Sequence, residues 1–250
     1  GQLLAIKKGS KIRSWLVSPA LNILTKTQPE NGGFLEATPL TAFVSMSLAA
    51  TEYKEHIVVK RGLQFLLQSQ REDGSWPIDT DLALWLTTSS VNALSTGGKY
   101  QGPRRKELLQ KLIKNQQTKV HPFTGAEPGG FAWTDLPGGV PDCDDTAGAL
   151  IALAHLDEER NLDTVKTASL AVHWLLSLQN NDGGWPTFCR GWGHLPFDKS
   201  SADITAHVIR ALTKWKEISA QIPQAIDCGF NFLTNSQGEN GQWTPLWFGN

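Results

Sequence analysis

The chain has 250 residues, 40% of them hydrophobic, which is enough for one large core or two modest ones. Its net charge of -1 provides no global basic field, so we expect no nucleic-acid partner. Three cysteines without a CxxC pair indicate a reducing compartment. No apolar run reaches the roughly 18 residues of a membrane span, so we expect a cytoplasmic protein and leave peripheral membrane contact open.

One short repeat organises the chain: a Gln, three residues, a Gly, one residue and an aromatic ring. Four copies begin at Gln28, Gln70, Gln179 and Gln237. A fifth, diverged copy ends at Gly129-Gly130-Phe131 and follows Gln116 after a longer insertion. Because Gly readily adopts turn and left-handed conformations, each copy is expected to end a helix.

Two kinds of helix are predicted around each copy of the repeat. The segments before the copies have helical apolar spacing and carry Lys, Glu and Gln, which is typical of an outer layer. The segments after them are poor in charge, so we expect inner helices buried on most sides. These inner segments share a register, with Thr41, Thr87, Thr146 and Thr205 each seven residues before Leu48, Leu94, Leu153 and Leu212.

The alternation of outer and inner helices at a period of roughly 42 to 58 residues predicts an all-α fold, an α/α barrel in a single domain over residues 1–250. The N-termini of the inner helices should gather at one end. We count five outer and four inner helices, fewer than six full pairs. The barrel is therefore expected to be incomplete, with the chain truncated or a partner completing it.

Three carboxylates crowd the start of the third inner helix, in the segment Asp142-Cys143-Asp144-Asp145-Thr146. One Asp suffices to cap a helix, and capping alone is the simplest interpretation. Three like charges should also raise at least one pKa, which keeps one acid protonated near neutrality. A neutral carboxylic acid at the edge of an apolar cavity can protonate an alkene.

The shared register places further side chains near this acidic segment. Nine residues before each register leucine lie Pro39, Trp85, Asp144 and Asp203, which should form one ring at the barrel mouth. His207 follows Asp203 by one helical turn, so we expect it to hydrogen-bond Asp144 from the neighbouring inner helix. A cationic His207 would increase the acidity of Asp144. Alternatively, His207 is an ordinary core residue.

The repeats resemble the QW motifs of triterpene cyclases, and Asp142 to Ala147 matches the DxDDTA signature of squalene-hopene cyclases and class II diterpene cyclases. The resemblance runs from about Gln28 to Asn250. It implies a cyclase that protonates squalene or a linear prenyl substrate, with Asp144 as the acid and Asp142 and Asp145 supporting it. It implies no metal or cofactor, and we expect the family's second helical domain to be absent from this chain.

The resemblance also implies roles for other residues. The segment Gly129 to Trp133 is similar to the family's GGFAF, and Asp203 to His207 is similar to DVTAH, in which the His supports the acid. Aromatic faces stabilise carbocations without trapping them, and the chain has ten Trp and ten Phe against two Tyr. The expected cation-stabilising and cavity aromatics are Trp85, Phe131, Trp133, Phe188 and Trp247.

Two alternatives remain open. Protein prenyltransferase β subunits have similar barrels and bind zinc through Asp, Cys and His, types that Asp142, Cys143 and His207 offer, although that family spaces its Asp and Cys differently. The other alternative is a non-catalytic barrel that binds an isoprenoid or a protein. The expected partners are a hydrophobic isoprenoid and either a second cyclase domain or a homo-oligomer that completes the barrel.

Overall fold

The computed structural model describes residues 11–95, 100, 102–122, 124–189 and 198–246. Within these ranges the chain is mostly helical, which confirms the all-α class, while closure into a barrel stays a prediction. Two short strands, β1 (Trp185–Pro186) and β2 (Ser200–Ser201), pair antiparallel. The helices are α1 (Lys11–Thr27), α2 (Thr38–Ala49), α3 (Ile57–Ser69), α4 (Ala83–Leu94), α5 (Arg105–Asn115), α6 (Cys143–Leu156), α7 (Leu162–Leu178), α8 (Ala202–Thr213) and α9 (Ile222–Ser236).

The predicted inner helices are α2, α4, α6 and α8, and the predicted outer helices are the odd-numbered ones. The chain divides into two compact units, Gly1–Leu82 with Leu136–Gly139, and Ala83–Asp135 with Val140–Asn250. In the first unit α2 packs on α3. In the second, α6 packs against both α4 and α8, α5 and α7 pack on α6, and α9 packs on α8. A single domain over the whole chain stays a prediction.

The core of the second unit is centred on α6, in which every residue except Asp144 and Ala154 is buried. Small residues such as Ala147, Gly148 and Ala149 allow its neighbours to approach closely. The expectation that every inner helix is buried on most sides is wrong for α2 and α4. Helix α6 has an inner helix on each side, whereas α2 and α4 leave Phe43, Met46, Trp85 and Leu86 exposed.

The glutamine of the repeat joins its turn to the next outer helix. In three copies its side-chain amide donates one hydrogen bond to the glycine carbonyl of its own turn and one to a carbonyl of the following outer helix. The amide of Gln28 reaches Gly32 and Val58, that of Gln116 reaches Gly129 and Thr167, and that of Gln179 reaches Gly183 and Ala225, at 2.8–3.0 Å. Gln116 thus confirms the diverged copy.

The turn glycine lies directly against the same outer helix. Gly32, Gly129 and Gly183 have positive φ, and a Cβ on each would lie 2.3, 2.7 and 2.3 Å from the carbonyl oxygens of Arg61, Leu170 and Cys228. Each of these carbonyls is three residues beyond the one that accepts the glutamine bond. The repeat therefore needs glycine both for its backbone conformation and for close packing.

The register threonines hold the aromatic end of the repeat. The hydroxyls of Thr41, Thr146 and Thr205 accept the backbone N–H groups of Phe34, Phe131 and Trp185 at 2.9–3.0 Å. These threonines are fully buried, so each bond satisfies a backbone donor that water cannot reach. The register threonine therefore places three of the inner helices, α2, α6 and α8, on the repeat that precedes each of them, whereas Thr87 of α4 donates to the carbonyl of Ala83 within its own helix.

Candidate active site

Asp142 is the N-cap of α6. Its carboxylate accepts a 2.7 Å hydrogen bond from the backbone N–H of Asp145, and its own N–H donates to the carbonyl of Phe131. Its backbone also bridges to Phe188, and the residue is buried. The side chain of Asp142 therefore caps the start of α6, which is the role that the capping interpretation gives to one of the three acids.

Asp144 lies two residues further on and meets α8 instead. Its Oδ1 is 2.7 Å from Nδ1 of His207, so the expected hydrogen bond is present. The Asp144 side chain is 38% exposed and that of His207 is 25% exposed. Of the three acids, Asp144 is therefore the one that an outside molecule can reach.

The hydrogen bond from His207 lowers the pKa of Asp144, working against burial, which raises it. The positive charge of His207 and a hydrogen bond from the Trp85 side chain lower this pKa further. All three contacts favour the carboxylate form. Asp144 is therefore a stronger acid than an ordinary aspartic acid.

Crowding raises the pKa of the other two acids. Burial, followed by the charge of Asp145, raises the pKa of Asp142 well above its ordinary value. Burial also raises the pKa of Asp145 to about 6, with the Asp144 charge adding to it and the Asp142 hydrogen bond opposing it. The expectation of a raised pKa is thus met at Asp142 and Asp145, whereas the pKa of Asp144 is lowered, because Asp144 accepts a hydrogen bond from His207.

Trp85 lies beside Asp144, and Trp133 is bonded to Trp85 through the backbone. The carbonyl of Trp133 accepts the backbone N–H groups of Leu84 and Trp85, each at 3.0 Å, which ties the segment before α6 to the start of α4. Trp85 is exposed and its side chain hydrogen-bonds Asp144. The indole N–H of Trp133 is buried and has no hydrogen-bond partner among the described residues. One aromatic side chain, that of Trp85, therefore adjoins the accessible acid, and Trp133 is held next to it through its backbone.

Three of the other expected site residues are described by the structure, and one is not. Phe131 is buried and Phe188 half-buried, and both flank Asp142 through their backbones. Asp203 lies in the first turn of α8, exposed, where its carboxylate accepts a hydrogen bond from the Ser201 hydroxyl. Trp247 lies outside the described residues.

Gly148 is a site residue that the sequence reasoning missed. It follows Asp144 by one helical turn, and a Cβ there would lie 3.3 Å from the Thr88 hydroxyl on α4 and 3.7 Å from Cε1 of His207 on α8. The absent side chain therefore leaves room beside the imidazole. The spacing of Asp144 and Gly148, four residues apart on one helix, was the available signal.

The described cavities lie away from the acid. One of 560 Å³ runs along α2 and α3 in the first unit, and one of 350 Å³ lies beside α4 and α5 in the second. Neither includes Asp144 in its lining, so an enclosed apolar chamber around this acid stays a prediction. Among the described residues, no three His, Cys, Asp or Glu side chains come together as a possible metal site, and none of the described helices could cross a membrane.

Comparison with known proteins gives a family match over residues 79–250, to the model described as squalene-hopene cyclase C-terminal domain. The terpene cyclase-glycosyl transferase fusion protein fsoA of Humicola fuscoatra is 28% identical over 98% of this chain and 21% of its own length. The sporulenol synthase of Bacillus subtilis is 31% identical over 54% of this chain and 23% of its own length.

A squalene–hopene cyclase of Bradyrhizobium diazoefficiens is 26% identical over 78% of this chain and 32% of its own length. The chain thus spans between about a fifth and a third of these curated relatives. Among solved structures, the type II terpene cyclase MstE from Scytonema aligns with 96% of this chain and 69% of its own, at 15% identity and a TM-score of 0.45.

Proposed function

Since this chain belongs to the squalene-hopene cyclase C-terminal domain family, we propose that it carries the acid site of a protonation-initiated, class II terpene cyclase. In this proposal Asp144 gives a proton to a carbon–carbon double bond of a linear isoprenoid. The 2.7 Å contact between Asp144 and His207, on the most accessible of three neighbouring acids, carries the proposal.

The alkene requires a strong acid, because its π electrons are a weak base. His207 and Trp85 both hydrogen-bond the carboxyl of Asp144, so they stabilise the carboxylate that forms when the proton leaves. An apolar substrate lying over the exposed part of this carboxyl would remove its water. Desolvation favours the neutral acid, so covering Asp144 would help to load it with the proton that it donates.

The chemistry balances without a cofactor. The O–H bond of Asp144 breaks, and a new C–H bond forms with the two π electrons of the alkene, which leaves a carbocation and a carboxylate. Further double bonds of the chain attack the cation, and loss of a proton from the last cation completes an isomerisation. Aromatic faces at Trp85, Trp133 and Phe188 would stabilise the intermediates by cation–π attraction.

Asp142 and Asp145 have supporting roles in this proposal. The carboxylate of Asp142 caps α6 and so fixes the helix turn that presents Asp144. Asp145 is buried beside Asp142, and one of its oxygens has no hydrogen-bond partner among the described residues. Asp203 lies in the first turn of α8, four residues before His207, and in this proposal it supports the helix start from which His207 reaches Asp144.

The substrate proposed is a water-insoluble polyene, squalene or a linear prenyl diphosphate. It is tested by incubating the purified chain with squalene and with geranylgeranyl diphosphate, beside Asp144→Asn. Asn retains the shape and hydrogen-bonding capacity of Asp but has no acidic proton, so the variant should fold and yield no cyclised product. Circular dichroism and product analysis check both halves.

Equal product profiles from the two proteins would remove Asp144 as the acid. Binding of squalene by both proteins with no product from either would instead favour the non-catalytic isoprenoid binder.

A further inference from the structure

Helix α4 is hydrogen-bonded to α6 at two points along one face. Trp85, Thr88 and Asn92 follow one another at intervals of three and four residues, so they lie on the same face of α4. The side chain of Trp85 hydrogen-bonds the carboxyl of Asp144, and the side-chain amide of Asn92 donates to the carbonyl of Gly148 at 3.1 Å. The two bonds therefore reach α6 one helical turn apart.

Gly148 allows the close approach on which the Asn92 bond depends. A Cβ at this position would lie 3.3 Å from the Thr88 hydroxyl, which is closer than an ordinary contact. Without that carbon, α4 comes near enough for a short side chain to reach the backbone of α6. Gly148 is buried, so the bond to its carbonyl forms away from water.

The side-chain amide of Asn92 is only partly satisfied. Its Oδ1 is buried and has no hydrogen-bond partner among the described residues. An unpaired buried acceptor costs at least as much free energy as one neutral hydrogen bond contributes. A leucine of nearly the same size would pack at this position without an unpaired group. Fold stability therefore does not account for an asparagine here.

The Asn92 bond fixes the orientation of α4, which its other contacts leave free. The carbonyl of Trp133 accepts two backbone N–H groups from the first turn of α4, and about this point the helix can still tilt or rotate. The small side chains of residues 87–90 interlock too weakly with α6 to prevent this. Asn92 lies two turns further along, and its directional bond removes that freedom. A small rotation would matter, because a hydrogen bond tolerates a displacement of only a few tenths of an ångström.

We propose that Asn92 is a positioning residue of the acid site, which holds α4 so that the indole N–H of Trp85 points at the carboxyl of Asp144. The inference rests on the proposed function of Asp144 as the acid. Loss of the Asn92 bond weakens the Trp85 contact, so the carboxylate that forms when the proton leaves is less stabilised.

The main test variant is Asn92→Leu, which removes the hydrogen bond and the unpaired oxygen together and keeps the size of the side chain. Its unfolding free energy in urea should equal or exceed that of the native chain. An effect of this variant on the acid site is then not the result of a loosened fold. Asn92→Ala takes its place if the leucine variant does not fold.

The first readout needs no turnover. Heteronuclear NMR of labelled aspartate follows the titration of the Asp144 carboxyl in the substrate-free protein, and the absence of its signal from Asp144→Asn assigns it. We expect a higher pKa of Asp144 in Asn92→Leu than in the native chain, because the hydrogen bond from Trp85 lowers this pKa. His207 and the two neighbouring acids of α6 remain in every protein compared.

A comparison with Trp85→Phe shows whether Asn92 acts through the tryptophan. Phe has no indole N–H, so Trp85→Phe should raise the pKa of Asp144, and adding Asn92→Leu should raise it no further. Ser95→Ala is the matched control, because it removes a hydroxyl bond to the carbonyl of Val91 that stays within α4, and it should leave the pKa of Asp144 unchanged. In the cyclisation assay Asn92→Leu should lower kcat by roughly 2- to 10-fold with little change in KM.

An Asp144 pKa in Asn92→Leu equal to that of the native chain would overturn the proposal. A further rise when Asn92→Leu is added to Trp85→Phe would overturn it as well, since Asn92 would then act by another route. Absence of cyclised product from every protein, with the pKa changes as expected, would count against the proposed function and would support the positioning of Trp85 by Asn92.

Discussion

Asp144 differs from its acidic neighbours because of where each residue stands on the helix. Asp142, at the cap, turns back to the N–H of Asp145, and Asp145 is buried within its unit. Asp144 projects from the first turn toward α8 and reaches His207. The sequence alone predicts the crowding of the three acids but not these directions, so it could not tell which pKa is raised.

Replacing His207 with Ala should lower the cyclisation rate by roughly 10- to 150-fold, because hydrogen bonds to charged groups contribute roughly 1.5–3 kcal/mol. The loss should appear in kcat, since the bond stabilises the carboxylate formed in the reaction. The initial rate of product formation measures it. His173→Ala, at an exposed histidine of α7, serves as the control, and a His207→Ala protein with native kcat would remove the histidine from the mechanism.

Asp145 should make stability depend on pH. Its folded pKa of about 6 exceeds its ordinary value of 3.8, so its stabilising contribution is complete below 3.8 and is lost as pH rises through about 6. At one pKa unit per 1.36 kcal/mol, the loss approaches about 3 kcal/mol. We therefore expect Asp145→Asn to exceed the native chain in unfolding free energy at pH 8 by more than at pH 5.

Urea unfolding of both proteins at the two pH values measures this difference. The two proteins share all other titrating groups, and loss of the Asp145 charge also lowers the raised pKa of Asp142, which adds to the difference expected at pH 8. If the difference in unfolding free energy between the variant and the native chain is the same at both pH values, the surroundings of Asp145 do not disfavour its charged form.

At the scale of elements, the equivalent turn glycines of two copies of the repeat, Gly183 and Gly241, can be compared directly. Gly183 and Gly241 both have positive φ, so Ala costs roughly 1–2 kcal/mol at either. At Gly183 the added Cβ would also collide with the carbonyl of Cys228, whereas at Gly241 its nearest neighbour would be the side-chain amide of Gln237, at an ordinary contact distance of 3.9 Å. Gly183→Ala should therefore lower the unfolding free energy by roughly 1–3 kcal/mol more than Gly241→Ala does.

Denaturant unfolding of the two variants tests this expectation. Equal losses at the two positions would mean that the turn does not press on α9 as described.

At the scale of the whole molecule, the sequence predicts where the helices lie in the chain but not which of their residues are buried. Helical spacing and the threonine register located the outer and inner helices. Three of the four register threonines accept a specific backbone N–H, as Thr205 does from Trp185, whereas Thr87 donates to the carbonyl of Ala83. Burial depends on which helices pack together, and the sequences of α2 and α4 do not show which helices are their neighbours. The exposed Phe43 and Trp85 were therefore not predicted.

The family match and the division into units place the candidate site in the same part of the chain. The match covers residues 79–250, and the second compact unit begins at Ala83. That unit contains Asp144, His207, Trp85 and Trp133, so the residues of the candidate site belong to one body. A sequence repeat that continues through both units could not show this boundary.

The proposal that Asp144 protonates an alkene is tested most directly by running the reaction in D₂O and measuring the mass of the cyclised product. Exchange with solvent loads the Asp144 carboxyl with deuterium, so the product should be one mass unit heavier than its isomer formed in H₂O, and Asp144→Asn should yield none. A product without deuterium, or the same labelled product from Asp144→Asn, would contradict the account.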